Sequence, residues 1–385
     1  MKVAVVTDSN SGFTQQAAEE AGIYLLPMPV IIEEETCYEG KDLTQERFYS
    51  SLTGNMHVTT SQPSPGDVAD LWEKLLDQGY DQIVHIPMSS GLSNSCATAI
   101  SLAEEYKGRV FVADNHRISV TLKEAALDAR AMADAGYTGE QIQKILEEEA
   151  YNASIYIAVD TLEFLKKGGR ITAAGAALGT VLHIKPILSI QGEKLDAFAK
   201  VRGMKKCRAT MIKALKDDLN NRFASYAPGR IQILTAGAGL TGEEAEEWKK
   251  MVGEAFPGMD VYYDPLSFSI ACHTGPGAMG IGCIIRNELR VRGERQDENY
   301  QRMENKSKTG AERQLWSGDH GILCGSHNFR TGGKHFFRFV SGSISAAYPS
   351  SVCLCVYLQP DRQYPHRRQR VSVFKYCQKQ GTFPG

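Results

Sequence analysis

The 385-residue chain has no apolar run of the ~18–20 residues that a membrane-spanning helix needs. Its start, Met1-Lys2-Val3-Ala4-Val5-Val6, enters a strand-like run directly. It shows none of the basic segment, apolar segment and small-residue cleavage site of a signal peptide. A cytoplasmic location without stable membrane insertion is therefore expected, and with it free thiols at the nine cysteines. Net charge is scarce too: 43 Lys+Arg against 45 Asp+Glu leave −2, which argues against a nucleic-acid partner. The G-x-S-x-G elbow, the Walker A loop and H-E-x-x-H are all missing. Gly237-Ala238-Gly239 is not completed into a dinucleotide fingerprint, and Cys324, Cys353 and Cys355 lack zinc spacing with His320 and His327. No metal and no cofactor are expected. What is present is a globular composition, 42% hydrophobic and 23% charged, at a length that suits two domains or more.

The near-zero charge is an average over unlike parts. Residues 287–385 hold 16 basic and 8 acidic side chains, a balance of +8, so residues 1–286 carry −10. The acidic part alternates β-branched runs with amphipathic helical patterns. The basic part has no sustained period and includes Pro365-His366-Arg367-Arg368-Gln369-Arg370, a stretch that could meet RNA or an acidic surface. Without a core pattern it is expected to be mostly disordered from residue 290, the texture a frameshifted 3′ end would give. The division expected is 1–152, 153–286 and 287–385.

Val3–Val6 reads as a buried strand ending in the polar turn Thr7-Asp8-Ser9-Asn10-Ser11-Gly12. Ser64-Pro65-Gly66-Asp67 is a helix start: Ser64 as cap, Pro65 first, Asp67 third. Further strands are expected at Gln82–Ile86 and Val110–Val112, and helices at Ser93–Ala103, Leu122–Ala135 and Glu140–Ala150. This β-α-β-α rhythm predicts a mostly parallel sheet covered by helices. From Ile155 on, Thr161–Lys167 reads as a helix stopped by Gly168-Gly169. Pro186–Ile190 and Lys194–Val201 flank a hairpin turn at Gln191-Gly192-Glu193. Later helices Met204–Leu219 and Gly242–Ala255 and strands Ile231–Leu234, Met259–Tyr263 and Met279–Ile285 make a smaller α/β domain.

Ligands of parallel α/β sheets sit at the carboxyl ends of strands, beside helix starts. Three hydroxyl clusters occupy such places: Thr7-Asp8-Ser9, Thr59-Thr60-Ser61-Gln62-Pro63-Ser64, and Ser89-Ser90-Gly91-Leu92-Ser93. They suit an anion, a carboxylate or a phosphate, and would serve equally as plain helix caps. His273, beside Gly275-Pro276-Gly277, could donate to a ligand or merely satisfy a turn; its spacing leaves both open.

These segments occur in a particular order. Val5-Val6-Thr7-Asp8-Ser9, Thr60-Ser61-Gln62-Pro63-Ser64, Ser89-Ser90-Gly91-Leu92-Ser93, Leu165-Lys166-Lys167-Gly168-Gly169-Arg170-Ile171, Lys185-Pro186-Ile187-Leu188 and His273-Thr274-Gly275-Pro276-Gly277 together resemble the DegV family of bacterial fatty-acid-binding proteins, over residues 1 to about 285. The resemblance implies two α/β domains with the ligand between them. It implies a long-chain fatty acid such as palmitate, held at its carboxylate by the hydroxyls of Thr60 and Ser93, with Ser61 shaping the site and His273 near the carboxylate. It implies that some members hand the acyl chain to a separate fatty-acid kinase subunit, with Arg170 and Arg202 facing the incoming phosphate or that partner. A competing reading is an autonomous enzyme in which Ser61 or Ser93 and His273 form a nucleophile–base pair for acyl or phosphoryl transfer. It lacks an evident Asp or Glu to orient the imidazole. The chain departs from the family where Thr235 stands in place of a more usual histidine, and where Asp114-Asn115-His116-Arg117-Ile118 replaces an Asp-Ser/Thr turn. It also departs in running on for about a hundred residues beyond the resemblance.

Overall fold

The structure, a computed structural model, describes residues 1–54, 56–176, 184–191 and 194–293, with the backbone of two strands further on. By contact the chain divides into two units, residues 1–300 and 301–385.

The first unit opens with β1 (Val3–Asp8), α1 (Gln15–Glu20), β2 (Tyr24–Leu26), β3 (Pro29–Ile32), β4 (Glu35–Tyr38), α2 (Gln45–Thr53) and β5 (Val58–Thr60). It continues through α3 (Pro65–Asp77), β6 (Gln82–Ile86), α4 (Ser95–Ala103), β7 (Val110–Val112), α5 (Val120–Asp134) and α6 (Gly139–Glu148). β2-β1-β6-β7 form a wholly parallel sheet, and β4-β3-β5 a small antiparallel one. β1 is buried along its whole length, as a β-branched run inside a covered parallel sheet must be. α3 starts as its sequence predicts: Ser64 Oγ accepts from the Asp67 N–H at 3.0 Å, with Pro65 at the first position. Its Val68, Trp72 and Leu75 are buried against one face of the sheet.

The chain then runs through β8 (Ala153–Ala158), α7 (Glu163–Gly168), α8 (Ala173–Ala176), β9 (Ile184–Ile190), β10 (Asp196–Arg202), α9 (Met204–Asn220), β11 (Ile231–Gly237), α10 (Gly242–Ala255), β12 (Val261–Pro265), α11 (Phe268–Thr274) and β13 (Met279–Ile285). Its six strands take the order β10-β9-β8-β13-β11-β12, antiparallel except for β11 with β12. α9 and α10 cover one face of this sheet, burying Met211 and Trp248. The other face shares one hydrophobic core with the first half, where Val5, Phe13 and Ile86 join Ile157, Leu188 and Leu234. The two N-terminal sheets and the six-stranded sheet fall on either side of residue 152, yet this shared core joins them into one unit.

The expected end of the fold at Arg286 needs correcting. Residues 288–293 are helical, and Val291 is buried. The Asn287 N–H donates to Asp128 Oδ2 at 3.1 Å, and Arg290 Nη1 meets Glu124 Oε2 at 2.6 Å and Asp128 Oδ1 at 3.5 Å. Both acids lie on the buried face of α5, where burial pushes the Asp128 carboxyl up to about 7 against the pull of Arg290. One cation reaching two buried acids explains why so charged a segment packs. Further on, β14 (Cys353–Gln359) and β15 (Arg370–Tyr376) pair antiparallel; the expected disorder of the tail otherwise falls outside the described residues.

Arg290→Ala should cost about 3 kcal/mol of stability, because it strands Glu124 without its buried cation. Urea unfolding of the variant reads this as a lower midpoint. A midpoint equal to wild type would show that the segment adds nothing to the fold.

Candidate functional site

β13 reads Met279-Gly280-Ile281-Gly282-Cys283, and side chains alternate across a strand. Met279, Ile281 and Cys283 belong to the core under α9 and α10. Gly280 and Gly282 therefore face the other way and leave that side of the sheet bare. Over this floor is a cavity of about 900 Å³, its open mouth included. Its apolar walls include Ile157 and Leu234 from the six-stranded sheet, Leu165 from α7, Ile270 from α11, and Met28 and Leu92 from the N-terminal half.

Polar side chains gather where the two halves meet. β5 ends at Thr60, followed by Ser61; Ser93 closes the turn after β6; His273 is in the last turn of α11; Arg170 follows α7. All five line the same cavity. Thr60 Oγ1 is 2.8 Å from His273 Nε2, across 213 residues of sequence. The Ser95 N–H donates to Ser93 Oγ at 3.1 Å, which leaves that hydroxyl's proton free to donate.

Two glycine motifs exist because of each other. A Cβ on Gly168 would lie 2.2 Å from His273 Nδ1, so only glycine lets the imidazole approach this backbone. A Cβ on Gly275 would strike the Phe164 ring at 2.4 Å. Gly169, at φ 69°, ends α7 in the left-handed region and turns the chain so that Arg170 reaches the site. Arg170 Nε donates to Leu92 O at 3.2 Å and a second nitrogen to Gly168 O, tying α7 to the turn that carries Ser93.

The site is positive with a neutral histidine. Burial, and then the charge of Arg170, hold His273 down at about 4, so it is uncharged at pH 7. Arg170 is half-buried and forms no ion pair with a carboxylate among the described residues. Neutral donors beside an unpaired guanidinium suit an anion, in a cavity whose other walls are mostly apolar. No carboxylate among the described residues orients Nδ1 of His273, and an imidazole that titrates near 4 is a poor general base. Nor do the described residues hold a cluster fit for a metal ion.

Sequence reasoning expected six residues here, and five converge: Thr60, Ser61, Ser93, His273 and Arg170. Arg202 ends β10, exposed, and does not line the cavity. Of the three hydroxyl clusters, the first is spent on the fold. Thr7 Oγ1 donates to Ile86 O at 2.8 Å, Asp8 accepts from the Asn10 and Met88 N–H groups, and Ser9 Oγ accepts from the Met28 N–H.

Comparison with known proteins bears on the same segments. The sequence model of the DegV family, described as an uncharacterised protein family, matches residues 2–286. The chain belongs to the DegV family. A DegV domain-containing protein of Streptomyces coelicolor is 31% identical over 280 residues, 72% of this chain and 97% of that one. Among solved structures, a DegV family protein from Thermus thermophilus, described by its fatty acid binding, is similar at TM-score 0.67 and 28% identity, over 74% of this chain and all of that one. DegV from Bacillus subtilis, described as a fatty acid binding protein, is similar at TM-score 0.64 and 29% identity, with the same coverage.

This DegV chain also lines its cavity with residues the sequence reading missed: Asn10, Ser119 and Ser269. Ser119 directly follows the loop that departs from the family pattern. Arg117 explains that departure: it is buried, donates to Ala150 O at 3.2 Å and to Glu149 O at 2.5 Å, and so anchors the loop. The signal for the floor was legible as Gly-Ile-Gly inside a strand, which marks a close approach.

Two outcomes are expected from this geometry. Arg170→Gln removes a positive charge beside His273, so protonation becomes easier and its midpoint moves up from about 4 toward 6.5, read from the imidazole protons by NMR. A midpoint that stays put would mean Arg170 does not act on the ring. Gly168→Ala drives a methyl into the ring, and the midpoint should rise as the imidazole is displaced toward solvent.

Proposed function

We propose that this protein binds a long-chain fatty acid, palmitate-like, in the cavity over β13. Its carboxylate sits among Thr60, Ser61, Ser93 and His273, under the charge of Arg170. The observation that carries this is the lining of the cavity: mostly apolar walls, with Thr60, Ser61, Ser93, His273 and Arg170 together as an anion-receptive group. The fatty acid binding described for the Thermus and Bacillus relatives supports it. Each buried methylene contributes about 0.8 kcal/mol, so the chain supplies most of the affinity and the rim fixes its direction. Neutral hydroxyl donors hold the carboxylate without enclosing it in a bidentate ion pair, which keeps it reactive.

A carboxylate held in this way suits presentation to a separate kinase subunit that would form the acyl phosphate. In this reading Arg170, and Arg202 on the exposed end of β10, face the phosphate or the partner. The protein itself is not an enzyme, needs no cofactor, and works in the cytoplasm. No helix among the described residues is long and apolar enough to cross a membrane. The autonomous Ser/His enzyme is less favoured: the imidazole meets Thr60 rather than Ser61 or Ser93, without an orienting acid.

Delipidated protein mixed with palmitate should bind it saturably, and Thr60→Ala or Ser93→Ala should weaken binding by about 0.5–3 kcal/mol. Gly280→Leu should abolish binding by filling the floor. The thermal midpoint should change little, because a Cβ there meets only ordinary contacts at 3.6 and 4.0 Å. Unimpaired binding by a folded Gly280→Leu variant would remove the ligand from this cavity.

A further inference from the structure

The cavity has a second polar place, apart from the rim. Ser269 and His273 both line it from α11, four residues apart, so they are separated by one helical turn, about 6 Å along the axis. At the Ser269 level the wall is completed by Asn10 and Ser119. Asn10 is held firmly: its Oδ1 accepts from Ser267 Oγ at 3.3 Å and from Ser269 Oγ, and its Nδ2 donates to Met88 Sδ at 2.9 Å. Its backbone carbonyl accepts from the Ser119 N–H at 2.8 Å, which fixes the two residues side by side.

Ser119 is the residue this arrangement leaves unsatisfied. It stands at the N-terminus of α5, a 15-residue helix, and its side chain makes no capping bond to that helix. It is 8% exposed, lines the cavity, and its hydroxyl has no hydrogen-bond partner among the described residues. A plain alkyl chain lying against it would strip its water and give nothing back. The positive end of the α5 dipole and the unbonded N–H groups of its first turn favour an oxygen there as well.

We propose that the cavity selects acyl chains carrying a hydroxyl or oxo oxygen a few carbons from the carboxyl end, received by Ser119 and the N-terminus of α5. This rests on the fatty-acid reading of the cavity. With the carboxylate at the Thr60–His273 rim, one helical turn of depth places those first carbons against Ser119. The ligand oxygen accepts from the serine hydroxyl, and a ligand hydroxyl can in turn donate to Ser119 Oγ.

The test uses the full-length chain, delipidated, with palmitate and a series of hydroxypalmitates in which the hydroxyl moves stepwise along the chain. Wild type is compared with Ser119→Ala and Ser119→Gly; the second suits the φ of 56° at this residue and keeps the fold. One member of the series should bind wild type about three- to tenfold more tightly than palmitate. Both variants should erase that gain, and Ser119→Ala should bind palmitate somewhat more tightly than wild type, because the alkyl chain no longer strips water from a hydroxyl. If every hydroxypalmitate binds more weakly than palmitate, by the same factor in all three proteins, the inference falls and the fatty-acid reading stands. If palmitate itself does not bind wild type, the fatty-acid reading falls and takes this inference with it.

Discussion

The contact between the His273 imidazole and the bare backbone of Gly168 is the constraint on which the polar rim depends. It brings α11 against α7, and α7 in turn delivers Arg170 to the turn that carries Ser93. It also keeps the ring dry enough to stay neutral and within 2.8 Å of Thr60. Residues from both ends of the unit thereby form one receptor, though no two of these elements are neighbours in sequence. The glycine is a steric necessity here, and the second glycine, Gly169, is a conformational one.

Packing and chemistry are divided between the two faces of one strand. β13 turns Met279, Ile281 and Cys283 into a tight core and shows Gly280 and Gly282 to the cavity. The sheet can then be rigid on one side and empty on the other. An apolar space of this kind is poorly filled by water, so an acyl chain is its natural content. In the proposed reading, the polar groups at its rim set direction and Ser119 sets which chains fit.

Much of the fold was legible from local pattern. The buried run of β1, the Ser64-Pro65 start of α3 and the hairpin of β9 and β10 all follow from two-fold alternation, caps and turn residues. Elements without a period were not legible. α11 is seven residues long and buried on almost every side, so it has no amphipathic face to read. β5 is three residues, and its threonines look like a loop. The segment after Arg286 looks like the start of a charged tail. It packs because Arg290 finds Glu124, 166 residues away, a pairing that no local pattern shows. Within the site, the hydroxyl clusters and His273 were visible as residue types. Their convergence was not, and Ser119 was hidden in a loop whose sequence is unusual because it serves the buried Arg117.

The central claim is that a fatty acid fills the cavity over β13. Native mass spectrometry of the full-length protein expressed in bacteria tests it most directly. The account predicts a folded species carrying one extra mass, equal to a long-chain fatty acid and released on denaturation. A folded protein that emerges with no lipid mass, and takes up none when palmitate is added in excess, would contradict it.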